Sequence, residues 1–174
     1  DILCIQESHI THSPYYYTDN GFLVVLSGSS SGDREFAGVG FIIAPWVANS
    51  VVGFLQFNNR LACLKLRVTG GITGIISAYA PHSGYSFDVR QKFFEELGSM
   101  YERTSVNKAK LIFGDLNSRI HKCLPGEEPY IGEHVFGNPQ ARLEPSANRE
   151  LLLEFCCTYG LLVANTFVAK PADE

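Results

Sequence analysis

No run of apolar residues in the 174-residue chain is long enough to cross a membrane, and no cleavable leader is visible, so an intracellular protein without a membrane partner is expected. The five cysteines, Cys4, Cys63, Cys123, Cys156 and Cys157, are odd in number and lack C-x-x-C spacing. Most sit within apolar runs, and buried reduced thiols fit best. Cys156 and Cys157, adjacent on a helix, face different ways and make neither a zinc pair nor a redox pair. There is no excess of positive charge: the formal net charge is −4, which argues against holding nucleic acid on a broad basic surface. An enzyme that meets phosphate through a bound cation is not excluded. Methionine occurs once, at Met100, and Asp1 opens directly into a strand-like run. The chain therefore reads as an internal fragment, a single domain over residues 1–174 that is incomplete at both ends, with no internal repeat.

What is present suits a packed core: 45% of residues are hydrophobic and 12% aromatic. Asp1 to Gln6 reads as an apolar strand ending at Glu7. Thr11 to Asn20 is polar and tyrosine-rich, a loop. Phe22 to Leu26 is the next strand, and Ser27 to Gly32 a flexible connection. Gly38 to Ala44, Val51 to Phe57, Ala62 to Val68 and Ile72 to Ala78 are four strands with short turns, expected as one antiparallel meander. In the third of them Ala62, Leu64, Leu66 and Val68 alternate with Cys63, Lys65 and Arg67, so one face is buried and the other partly wet. Ser86 can cap a helix carrying Phe93, Leu97 and Met100 at helical spacing. Residues 118–145 are rich in Gly, Pro and charge without either period, a long loop that is functional or disordered. Ser146 or Asn148 then caps a second helix with Leu151, Leu152, Phe155, Cys156 and Tyr159 on one face, ended by Gly160. Leu161 to Ala164 is expected as a last strand. Short strands in meanders interrupted by helices predict an α+β fold, with helices covering sheets that pack face to face.

The most informative stretch is Leu111-Ile112-Phe113-Gly114-Asp115-Leu116-Asn117. Leu111 to Phe113 reads as a fully buried strand, broken by Gly114. Asp115 and Asn117, two residues apart in extended chain, would point the same way from its end, which is how a protein presents a metal or phosphate site. A plain Gly-Asp and Asn-Ser turn is the alternative that these residues leave open. Glu7, Tyr79, Asp115 and Asn117 each fall at the C-terminal end of a strand. Two carboxylates brought within about 5 Å would repel by roughly 3 kcal/mol at an effective dielectric near 20, so Glu7 and Asp115 together would hold a cation or a proton. Mg²⁺ takes oxygen ligands and needs only one or two carboxylates besides water and substrate phosphate, with Mn²⁺ an acceptable substitute.

The order Ile5-Gln6-Glu7, Gly38-Val39-Gly40, Ser77-Ala78-Tyr79-Ala80-Pro81 and Gly114-Asp115-Leu116-Asn117 resembles the endonuclease/exonuclease/phosphatase superfamily, with the deoxyribonuclease I-like fold. Arg119, Asn148 ahead of Leu151-Leu152, and Asn165-Thr166-Phe167 look like one branch of it, the apurinic-type endonuclease domain of non-LTR retrotransposons, including host proteins similar to craniofacial development protein 2. The resemblance implies a truncated four-layer α/β/β/α sandwich and a Mg²⁺-dependent endonuclease that nicks DNA. It also implies a nuclear location and a reverse transcriptase domain fused in the parent protein. On it, Glu7 would hold the metal, Asp115 would orient or deprotonate the attacking water, Asn117 would bond the scissile phosphate, and Tyr79 would contact phosphate or the leaving group. Arg119 is a further candidate for substrate phosphate, and Asn165 reads either as such site support or as a strand-end turn. The family's upstream Asn and its C-terminal Asp-His pair have no counterpart here, so the chain as it stands is expected to be catalytically incomplete.

None of the five histidines, His9, His12, His82, His121 and His134, reads as a replacement base; each reads as a solvated side chain. Arg119, Lys122, Arg142 and Arg149 either meet DNA phosphate or belong to a mixed solvated loop with Glu127, Glu128, Glu133 and Glu144. Two other readings stay open: a phosphatase or phosphodiesterase of the same superfamily acting on inositol phosphates or lipids, and a catalytically inactive remnant that serves as a binding module.

Overall fold

A computed structural model describes residues 1–29, 37–135 and 148–169. Its contacts divide the chain into two compact units, Asp1–Ala80 with Glu95–Asp115, and Pro81–Phe94 with Leu116–Glu174.

The first unit holds two four-stranded sheets. One has the order β1-β4-β3-β2, built from β1 (Ile2–Ile5), β2 (Tyr15–Tyr17), β3 (Leu23–Ser27) and β4 (Val39–Ile43), all antiparallel. The short helix α1 (Pro45–Ala48), opened by a proline that needs no intrahelical partner for its nitrogen, leads to the other sheet. There β5 (Val51–Asn58), β6 (Leu61–Val68) and β7 (Gly71–Tyr79) form an antiparallel meander. The strand β8 (Lys110–Asp115) adds parallel to β7, reached through helix α2 (Phe87–Arg103). A parallel neighbour requires such a crossover.

Alternation along the strands builds the core. Leu23 and Val25 of β3, Val39, Phe41 and Ile43 of β4, Ala62, Leu64 and Leu66 of β6, and Ile75 and Tyr79 of β7 pack in one cluster between the sheets. Each fully buried large side chain there, such as Phe41 or Leu64, stabilises the fold by about 1.5–3 kcal/mol. The opposite face of the second sheet carries Leu61, Cys63, Ile76 and Ala78, also buried. The C-terminal half of α2 covers it. Leu97 and Met100 are buried, Thr104 Oγ1 lies 3.7 Å from Cys63 Sγ, and Glu96 accepts from the Asn58 side chain at 2.9 Å. Thus the first half of β6 is buried on both faces, and only Lys65, Arg67 and Val68 reach solvent.

The second unit carries the N-terminal half of α2, begun at the Ser86 cap that reaches the Val89 amide at 3.5 Å, and α3 (Arg149–Tyr159). Phe94 packs against Phe155, and Phe155 against Tyr159. Gly160 closes α3 at φ 62° with its amide on the Cys156 carbonyl, the left-handed cap that glycine adopts without steric cost. Residues 118–135 have no strand or helix yet are tied by hydrogen bonds. The Ile131–Val163 bridge, Gly132 N–H to Thr166 Oγ1 at 2.7 Å and His134 N–H to the Thr166 carbonyl at 2.9 Å anchor their end.

Several sequence expectations are corrected here. The meander has three strands, not four: β4 joins β1 and β3 in the other sheet, because α1 turns the chain away before β5. The loop expected over Thr11 to Asn20 contains β2, an edge strand whose three tyrosines stay exposed and so show no buried period. Leu161 to Ala164 is no strand; Val163 makes a single bridge and residues Ala164–Thr166 form a 3-10 turn. The strand before Gly114 is not fully buried either. Among the described residues β8 pairs on one side only, and Leu111 and Phe113 are 43% and 49% exposed. Gly160 and the buried face of α3 are as expected. The cysteines are free, but of the thiols expected buried only Cys63 and Cys156 are; Cys4 and Cys123 are partly exposed and Cys157 exposed. Ser146 and the final part of the 118–145 stretch lie outside the described residues. Among the described residues no helix is long and apolar enough to cross a membrane.

Candidate active site

Two side chains on the inner face of β7 gather the end of β1. Ser77, wholly buried, donates to the Ile5 carbonyl at 3.1 Å and accepts from the Gln6 side-chain amide at 3.0 Å. Two residues further along the same face, the Tyr79 hydroxyl donates to Glu7 Oε1 at 2.5 Å. The period of the strand thus converts the Ser77-x-Tyr79 spacing into two adjacent clamps, one on the backbone of β1 and one on the carboxylate beyond it. Past β1 the chain turns sharply: Glu7 and His9 have φ 53° and 55°, and the Ser8 and His9 amides bond the Gly38 and Ala37 carbonyls at 3.1 Å.

Asp115 enters from β8. It is the register partner of Tyr79, its carbonyl accepts from the Ala80 amide at 2.8 Å, and its residue is exposed. Gly114 makes this approach possible. It has φ 141°, and a Cβ at that position would lie 1.9 Å from the Ala78 carbonyl oxygen.

Beneath Tyr79 lies Arg60, 9% exposed, in the turn between β5 and β6. Its guanidinium carbon is 5.1 Å from the centre of the Tyr79 ring, and Nη1 donates to the Tyr79 carbonyl at 3.3 Å. Burial, the bond to Glu7 and the negative charges of Glu7 and Asp115 push the Tyr79 phenol up to about 12, against the opposing pull of Arg60. Tyr79 therefore keeps its proton at neutral pH and acts as a donor. The cluster is an exposed carboxylate held by a neutral phenol, a second exposed carboxylate beside it, and a buried cation below.

Of the residues singled out from sequence, the structure brings Glu7, Tyr79 and Asp115 together in the first unit. Asn117, Arg119 and Asn165 belong to the second. The extended arrangement expected from Asp115 to Asn117 is corrected: Asn117, two residues past the end of β8, has φ 49°, and Arg119 φ 46°. Arg119 and Asn165 are exposed, Asn165 within the 3-10 turn. Arg149 is not a phosphate contact but the buried half of an ion pair: it bonds Glu127 through both terminal nitrogens and donates to the Lys122 carbonyl at 3.0 Å. Its guanidinium holds the Glu127 carboxyl below the ordinary carboxylate range. His9 Nε2 stands 4.0 Å from Glu7 Oε2 at the surface, while His82 packs on Tyr85 and accepts from the Gly84 amide at 3.0 Å. Arg142 lies outside the described residues.

Sequence reasoning missed Arg60 as a participant. An arginine after Asn58-Asn59 looks like an ordinary turn cation, and only the fold shows that it is buried under Tyr79. Ser77 was legible as part of a motif, but not as the clamp on β1.

The donors suit a hard divalent ion. Glu7 and Asp115 offer carboxylate oxygens only, and among the described residues no group of three or more His, Cys, Asp or Glu side chains is placed to hold a metal. Two carboxylates are the kind of donor that an ion taking oxygen ligands and water would use.

No family model matches the chain. Over 172 residues, 99% of its length, the chain is 26% identical to craniofacial development protein 2 of Tragulus javanicus and to craniofacial development protein 2 of Bos taurus. The matched part is 28% and 27% of these relatives' own lengths, so the chain spans little more than a quarter of the curated proteins it resembles.

Proposed function

We propose that this chain carries part of a Mg²⁺-dependent phosphodiesterase that nicks DNA, within a deoxyribonuclease I-like four-layer sandwich. The observation that carries the reading is the meeting of Glu7, Tyr79 and Asp115 at adjacent strand ends over the buried Arg60. The similarity to craniofacial development protein 2 along the whole chain supports it.

Each residue has a distinct task in this reading. Tyr79 keeps its proton and fixes the Glu7 carboxylate by donating to one oxygen, while the other lies 4.0 Å from His9 Nε2. Glu7 is the metal ligand. The ion, when bound, polarises a phosphoryl oxygen and offsets charge on the leaving oxygen. Asp115, exposed, accepts a hydrogen bond from the attacking water and orients it, or takes its proton. Arg60, buried against the Tyr79 ring and bonded to its carbonyl, holds Tyr79 in place. In the second unit, Asn117 is assigned the hydrogen bond to the scissile phosphate, with Arg119 and Asn165 as further phosphate contacts. A nuclear location and a fused reverse transcriptase belong to the same reading.

The test is relaxation of supercoiled plasmid by the intact protein. Nicking is expected in Mg²⁺ and, more weakly or comparably, in Mn²⁺, and it should stop in EDTA. Undiminished nicking by Asp115→Ala would sink the residue assignment, and metal-independent nicking would sink the mechanism.

A further inference from the structure

Asn148 stands at the start of α3, where its residue type suggests a helix cap. Its side chain does not cap the helix. It is fully buried, and its amide nitrogen donates to the Pro81 carbonyl at 2.8 Å and to the Leu116 carbonyl at 3.0 Å. Its amide oxygen accepts from Arg90 Nη1 at 3.3 Å, and Arg90 is itself buried. Both hydrogens of the amide and one side of its oxygen are therefore used, far from water. The backbone joins in. The Asn148 amide approaches the Asn117 carbonyl at 3.5 Å, and the Ser118 hydroxyl lies 2.9 Å from the Leu116 carbonyl and 3.5 Å from the Asn148 carbonyl.

Pro81 is the second residue after the end of β7, and Leu116 is the first after the end of β8. One planar amide thus ties Pro81 to Leu116 within the second unit. Between Leu116 and Ser118, both bonded in this network, Asn117 is held at φ 49°, a left-handed conformation that a non-glycine residue keeps only when its surroundings impose it.

We propose that Asn148 is a positioning residue: by clamping the Pro81 and Leu116 carbonyls it imposes the left-handed turn that aims Asn117. The inference rests on the proposed role of Asn117 toward phosphate, but the clamp itself does not depend on it. Asparagine is required because the position must donate twice and accept once within a dry interior. Aspartate has almost the same shape and keeps the acceptor for Arg90, yet it cannot donate to either carbonyl.

The test compares wild type with Asn148→Asp in the intact protein, using two readouts. The first is the ¹³C chemical shifts of Leu116, Asn117 and Ser118, without metal or DNA. The second is kcat and KM for plasmid nicking. The Asn117 shifts are expected to move from left-handed toward extended values, and kcat to fall about a hundredfold, the cost of a displacement of about 1 Å at a reacting group. KM should change less than threefold, since Asn148 is buried and cannot touch DNA. Unmoved Asn117 shifts in folded Asn148→Asp would overturn the proposal, as would a loss of activity that only follows the folded fraction. If wild type does not nick at all, the functional reading fails while the shifts still decide the clamp. Should Asn148→Asp not fold, Arg90→Gln replaces it. That variant removes the Arg90 Nη1 bond to the amide oxygen together with the Arg90 Nε bond to the Tyr85 carbonyl, and should displace the Asn117 shifts partway in the same direction. No displacement would refute the clamp.

Discussion

The Tyr79 hydroxyl donates to Glu7 Oε1 across the gap between two sheets, 72 residues apart in sequence, at 2.5 Å. A phenol that holds its proton up to about pH 12 is a permanent donor in this place, so the Glu7 carboxylate is directed at any pH at which it is ionised. Tyr79→Phe removes the donor and keeps the ring over Arg60. A hydrogen bond to a charged group is worth about 1.5–3 kcal/mol, so nicking should fall about 10- to 100-fold. Circular dichroism should remain that of wild type. Unchanged activity would show that Glu7 needs no such orientation.

Metal binding has a stability readout independent of turnover. At a Mg²⁺ concentration about 100 times its dissociation constant, the native state gains about 2.7 kcal/mol. Differential scanning calorimetry should show a rise in Tm that EDTA reverses and that Glu7→Gln and Asp115→Asn abolish. A folded wild type with no rise would favour the reading as an inactive binding module.

Gly114→Ala should disrupt the approach of β8 to β7. The positive φ costs about 1–3 kcal/mol for an L side chain, and overpacking against the Ala78 carbonyl about 1–3 kcal/mol more. Urea denaturation is expected to show a loss of about 3 kcal/mol or more. A loss under about 1 kcal/mol would mean that β8 can shift freely in its register.

The Arg149–Glu127 pair predicts a pH-dependent contribution to stability. Arg149 lowers the folded-state pKa of Glu127 below its unfolded value, so the pair's contribution is present above the ordinary carboxylate range and is lost as pH falls through the lowered value. Glu127→Gln leaves a buried guanidinium uncompensated and should cost about 3–5 kcal/mol at neutral pH. The difference between wild type and variant should narrow in acid. A difference independent of pH would assign the stabilisation to packing instead.

Local chemistry written in adjacent residues determined much of this protein. Alternation placed Ala62, Leu64 and Leu66 on one face of a strand, Ser86 and Gly160 marked the two helix ends, and Gly114 marked the break before Asp115. These follow from backbone geometry within a few residues, whose periods of two and 3.6 are visible in the chain itself. Which sheet a strand joins is a different kind of fact. β4 left the expected meander because of where α1 sends the chain, and Leu111 and Phe113 are exposed because β8 has, among the described residues, one strand neighbour and not two. Tertiary structure also decided the fate of individual polar groups. Arg60, Arg149 and Asn148 each resemble ordinary turn, loop or cap residues, and each is buried against partners 19 to 67 positions away. A buried polar group must find its hydrogen bonds wherever the fold supplies them, and no periodicity in sequence records a partner that only packing brings near.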